Sequence, residues 1–157
     1  MIAYRQCHPA HAEISDDTLR ASAREGGRFN PRHEFGAVYV SLSRETAVRE
    51  LRRRAHRLAV DVADLLPRTM LQLRVNLERV LDLTDPSTAT AWGLSAAQLR
   101  SDDLTPCQEV AGAARRNGYE ANRYPAASGT GENVAIFLDR LHAGSTVQVE
   151  SAEELAL

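Results

Sequence analysis

The sequence predicts an α+β fold, one domain over residues 1–157 with a mostly antiparallel sheet flanked by helices, and three observations lead there. Its 157 residues, 43% hydrophobic and 25% charged, suit a single domain. A domain of that size buries roughly 70% of its unfolded surface without metal or disulfide staples. Strand-like runs rich in β-branched and aromatic residues lie toward both ends, and three helical pieces follow one another between them. No repeat, linker or low-complexity tract divides the chain.

Taken in order, Ile2 to Cys7 reads as a first strand, and Asp16 to Glu25 as a polar helix or loop ending at Gly26-Gly27. Ala37 to Leu42 has the composition of a strand. Ser43 is a good N-cap for the helix that follows, in which Ala47, Val48, Leu51, Ala55 and Leu58 recur at helical spacing. Its other face carries Arg49, Arg52, Arg53 and Arg57. Met70 to Val75 alternates as a half-buried strand and Arg79 to Leu83 reads as another, the two expected to pair as a hairpin. Asp85-Pro86-Ser87 opens a short helix to Trp92, Ser95 caps the next, and Thr105-Pro106 starts a firmer one that Asn117-Gly118 closes. Ala121 to Tyr124, Asn133 to Leu138 and Thr146 to Val149 complete the strands, with a loop at Ala126 to Glu132.

All 19 basic residues are arginine. The absence of lysine excludes a Schiff base, a Walker-type phosphate loop and a lysine general base, and leaves guanidinium as the only strong cation. A GC-rich genome alone would favour that composition. Against 21 acidic residues the net charge is -2 and the pI about 6.2, so the surface as a whole does not attract nucleic acid. No secretion signal or membrane-length apolar run is present, and a cytoplasmic location is expected.

Cys7-His8-Pro9-Ala10-His11 places a thiol and two imidazoles together, but His33, His56 and Cys107 are scattered and no fourth ligand stands at zinc spacing; no metal is expected. Cys107 lies at an expected helix N-terminus, which either lowers its thiol pKa or simply buries a small residue on an amphipathic helix. Gly26-Gly27-Arg28 lets the backbone approach a ligand just before a guanidinium. Arg28 then binds an anion or anchors a turn by bonding carbonyls. Tyr39 on a strand and Glu50 on the next helix face one cleft, or serve as a core aromatic and a salt bridge to Arg54.

Five blocks in order resemble the RES-domain family, toxins of bacterial toxin–antitoxin pairs named for an Arg, a Glu and a Ser. Tyr4-Arg5 resembles its opening strand, Gly26 to Asn30 its Gly-Gly-Arg-aromatic-Asn signature, Val38 to Ser41 its Val-Tyr-Leu strand, and Ala47 to Glu50 its Glu-bearing helix. Gly118 to Ser128, continued by Glu132 to Phe137, is similar to the segment bearing the Ser; Phe29 stands where the family often has Trp. The resemblance implies a split sheet like that of ADP-ribosyltransferases and cleavage of the nicotinamide–ribose bond of NAD, by hydrolysis or phosphorolysis. It also implies catalytic roles for Arg28, Glu50 and Ser128, and NAD binding by Arg28, Tyr39 and Asn133. Ser128 would position rather than attack, since no His is placed to activate it. The partner implied is a cognate antitoxin of the Xre-like kind. Alternatives are transfer of ADP-ribose to a host protein, and an arginine-rich module binding nucleic acid or protein through Arg49 to Arg57. Ser145 to Leu157 is a candidate surface for a partner or for self-association into a homo-oligomer.

Overall fold

Local signals set most element boundaries in the computed structural model, which describes residues 1–157. Strand β1 (Ile2–Cys7) is followed by helix α1 (Asp16–Glu25), strand β2 (Val38–Ser41) and helix α2 (Arg44–Arg57). Strands β3 (Thr69–Asn76) and β4 (Val80–Asp82) lead to helices α3 (Pro86–Ala91), α4 (Ala96–Arg100) and α5 (Thr105–Arg116). Strands β5 (Ala121–Pro125), β6 (Glu132–Ile136) and β7 (Thr146–Glu154) finish the chain. The Ser43 hydroxyl accepts from the N–H of Thr46, Asp85 caps α3 ahead of Pro86, and Ser95 with Gln98 forms a capping box on α4. Short 3-10 turns at Pro9–His11, Val62–Leu65 and Leu138–Arg140 fall where the sequence reads as loop or strand end.

The seven strands form one sheet in the order β4-β5-β6-β2-β1-β3-β7. It is mixed: β4 and β5 run parallel, and the other neighbours antiparallel. The expected β3–β4 hairpin does not form. β3 pairs with β1 and β7 toward one end of the sheet, while β4 lies at the opposite edge beside β5. Between the two strands Leu77-Glu78-Arg79 offers no Gly or Asn for the left-handed positions of a tight turn, and the connection is held by a distant residue. The fully buried Glu120 accepts the N–H groups of Glu78 and Arg79 at 2.8 Å each and that of His142 at 2.8 Å.

The two-part sheet expected from the resemblance is likewise corrected to one sheet with a weak seam. β1 and β2 share a single register pair, Tyr4 with Ser41, whereas β1 and β3 share six. One face of the sheet packs Ala3, Val38, Val40, Leu71, Leu73, Val75, Val134 and Ile136 into a buried cluster. The other face carries two separate clusters. One gathers Phe29, Leu81, Leu83, Tyr124 and Phe137 with Val110, Ala111 and Ala114 of α5. The second joins Ala47 and Leu51 of α2 to Met70 and Leu155. No helix is long and apolar enough to cross a membrane.

Candidate active site

Strand pairing lines up the cleft floor. Tyr4 is registered with Ser41, Ser41 with Asn133 and Asn133 with Tyr124, a polar row across β1, β2, β6 and β5. All four residues line a cleft of about 1490 Å³, which also receives Arg28, Tyr39 and Glu50; sites for small molecules commonly span ~300–1,000 Å³. The Ser41 hydroxyl donates to Asn133 Oδ1 at 2.7 Å, which fixes the buried Asn133 amide in the row. Tyr124 packs against Phe29 with the two rings tilted at 51° and their centroids 4.6 Å apart, and burial holds its phenol well above the usual value. Phe29, fully buried, therefore supports the floor from beneath.

The segment from Gly26 to Asn30 forms one wall. Asn30 is fully buried, and its amide donates to the Ser22 and Phe35 carbonyls at 3.0 and 3.1 Å. Its Oδ1 accepts from the Tyr39 hydroxyl at 2.6 Å, and that hydroxyl accepts the Phe29 N–H at 2.9 Å. Gly27 permits this approach: a Cβ there would lie 2.6 Å from the Tyr39 hydroxyl. Burial raises the Tyr39 pKa, outweighing the hydrogen bond from Phe29. The phenol therefore stays protonated and presents its ring rather than an acid. Arg28 both anchors and lines: one Nη donates to the Ser101 carbonyl at 2.8 Å while the side chain borders the cleft.

Of the two alternatives for Glu50, the structure has it lining the cleft. Its Oε1 accepts the backbone N–H of Ser128 at 3.3 Å, 78 residues away, and it forms no ion pair with Arg54. The Ser128 hydroxyl is buried and has no partner. Arg28, Tyr39, Glu50 and Asn133 thus share one cleft, and Ser128 meets them through Glu50. The flanking loop is tied down, with Arg49 Nη2 donating to the Thr130 carbonyl at 3.0 Å.

Arg5 lines the same cleft, beyond the residues to which the resemblance gives a role in catalysis or NAD binding. It lies at the weak seam, donates to the Tyr39 carbonyl at 3.2 Å, and has an Nε without partner. Burial pushes its guanidinium below the ordinary value. Its signal in the sequence was the Tyr-Arg of the first block; Tyr4, Ser41 and Tyr124 had none, because their row exists only through long-range register. Nine arginines line the cleft, Arg5, Arg20, Arg24, Arg28, Arg32, Arg53, Arg54, Arg57 and Arg68, beside the carboxylates Glu13, Asp17, Glu25 and Glu50. Cys107 takes the buried alternative: burial raises its thiol despite nearby Arg28. His8 caps the Pro9–His11 turn, its Nδ1 accepting the Ala10 N–H.

Known proteins resemble this chain in sequence and in fold. NAD(+) phosphorylase MbcT of Mycobacterium tuberculosis, and the same-named protein of Mycobacterium bovis, are 31% identical over 123 residues, 77% of this chain and 66% of theirs. A probable NAD(+) phosphorylase, Rv3189 of Mycobacterium tuberculosis, is 35% identical over 132 residues, 83% of this chain and 61% of that protein. The chain thus spans just under two thirds of the curated relatives it matches. In the crystal structure of the M. tuberculosis MbcT–MbcA toxin-antitoxin complex, one chain superposes with a TM-score of 0.83 at 28% identity, covering 98% of this chain and 83% of that one. A family model described as the RES domain matches residues 2–157, so the match takes in every strand of the sheet and every wall of the cleft, and this chain belongs to the RES domain family.

Proposed function

We propose that the protein cleaves the nicotinamide–ribose bond of NAD, passing ADP-ribose to phosphate or water, and is the toxin of a toxin–antitoxin pair held inactive by a cognate antitoxin. The observation that carries this reading is the meeting of Glu50 and Ser128, distant in sequence, above a polar row flanked by Arg5 and Arg28. The names of the relatives, NAD(+) phosphorylases, and the toxin–antitoxin complex with the same fold support it.

The chemistry fits the residue types. Breaking the C1–N bond sends its electron pair to the pyridinium nitrogen, so nicotinamide leaves neutral and the ribose becomes oxocarbenium-like. A phosphate oxygen then closes on C1 to give the ribose 1-phosphate. Glu50 Oε1 is held by the Ser128 N–H, which leaves Oε2 for a ribose hydroxyl, where negative charge favours the cation forming beside it. Tyr39 offers its ring to nicotinamide, Asn133 a fixed amide, and Arg28 a bidentate donor to the pyrophosphate.

Purified protein incubated with NAD and phosphate should release nicotinamide together with an ADP-ribose phosphate ester. Glu50→Gln should lower that rate by about 10²-fold or more with an unchanged circular dichroism spectrum. Absence of nicotinamide release with phosphate, water or protein acceptors would overturn the reading. A mass shift on a protein with little free ADP-ribose would select protein modification instead.

A further inference from the structure

The loop Ala126–Gly131 closes on itself through the Ala126 N–H to the Gly131 carbonyl at 2.9 Å and the Gly129 N–H to the Ala126 carbonyl at 3.3 Å. Past Ala126 it buries little: Ala127 and Ser128 are half-buried, and Gly129, Thr130 and Gly131 are exposed. A segment with so little apolar burial opens easily unless polar ties hold it. Those ties come from one face of α2, where Thr46, Arg49 and Glu50 stand at helical spacings of three and four residues.

Each of the three meets a different part of the loop. Gly131, at φ +95°, lies so close to Thr46 that a Cβ would strike its hydroxyl. Glu50 takes the Ser128 N–H, and Arg49 gives a hydrogen bond to the Thr130 carbonyl. Acceptor and donor therefore grip the loop's tip on both sides, complementing a half-buried N–H and an exposed C=O. Arg49 is itself braced, by Glu45 at 2.7 Å through one Nη and by the Thr46 hydroxyl at 3.4 Å through the other. Only a planar, forked cation can reach all three acceptors at once. Arg49 does not line the cleft.

We infer that Arg49 is a positioning residue for the cleft: by holding Thr130 it keeps the Ser128 N–H on Glu50, and so fixes which carboxylate oxygen is left for the substrate. This rests on the NAD reading of the site. Loss of the brace frees the loop and lets Glu50 turn, which costs rate without removing any group that binds NAD.

The test combines kinetics with amide exchange on Arg49→Met, which keeps the aliphatic stem, on Arg49→Lys, and on Arg52→Met as a control from the exposed side of α2. In Arg49→Met, kcat for nicotinamide release should fall about tenfold or more while KM for NAD stays within about twofold, and the Ser128 amide should exchange faster. Arg49→Lys should recover part of the rate, and Arg52→Met should match wild type. Wild-type kcat in Arg49→Met, a rise in KM alone, or unchanged Ser128 exchange would overturn the inference. A wild-type protein that releases no nicotinamide would overturn the NAD reading itself.

Discussion

Tyr39 uses both hydrogen-bonding capacities of its hydroxyl inside the protein, on Asn30 and on the Phe29 N–H. The ring and the hydroxyl therefore do separate work, and Tyr39→Phe should separate them. Nicotinamide release should stay within about threefold of wild type because the ring remains. Stability to urea should drop by about 1–3 kcal/mol, since a buried N–H and the Asn30 Oδ1 lose their partner. At this scale much of the site was legible: Arg28, Tyr39 and Glu50 stood out because a guanidinium after two glycines, an aromatic on a strand and a carboxylate at the edge of an apolar stripe are each visible within a few residues. Tyr124 and Ser41 were not, because their chemistry comes from neighbours about 10 and 90 residues away through the sheet register.

Among the elements, helix starts were legible and strand partners were not. A cap is a local hydrogen bond, so Ser43, Asp85 and Ser95 announce their helices. Strand pairing depends on the whole chain, and β3 and β4 look like a hairpin until Glu120 is seen holding their connection. Burial opposes charge on that carboxylate, but its polar neighbours, the N–H groups of His142, Arg79 and Glu78 among them, more than compensate, and its pKa lies below the usual range. Glu120→Gln should therefore destabilise by about 1–3 kcal/mol in urea unfolding, because an amide NH₂ would face a backbone donor. The nearby His142 imidazole bonds the Gly118 carbonyl through Nε2 and Glu78 through Nδ1, and both contacts raise its pKa above 6.5. Both bonds need the doubly protonated ring, so this contribution is complete below the ordinary imidazole value and disappears as pH rises through the raised one. The urea midpoint should accordingly fall as pH rises through and above the ordinary imidazole value, and His142→Ala should flatten that part of the curve.

For the whole molecule, a net charge of -2 conceals an uneven distribution. Nine of 19 arginines surround one cleft, from segments as far apart as Arg5, Arg28, Arg53 and Arg68. A summed charge cannot show this. Size and composition do carry the α+β class, since it depends on totals rather than on pairing. Strand order carries something else. β6 lies in the middle of the sheet, between β2 and β5, yet it is made from residues 132–136, and it brings Asn133 to the cleft floor. Ribosomes deliver a chain from its N-terminus at ~5–20 residues per second. A nascent chain therefore carries Arg28, Tyr39 and Glu50 for several seconds before any cleft exists to use them. Whatever the finished cleft does to its surroundings, topology alone withholds it from any copy that stops short of β6.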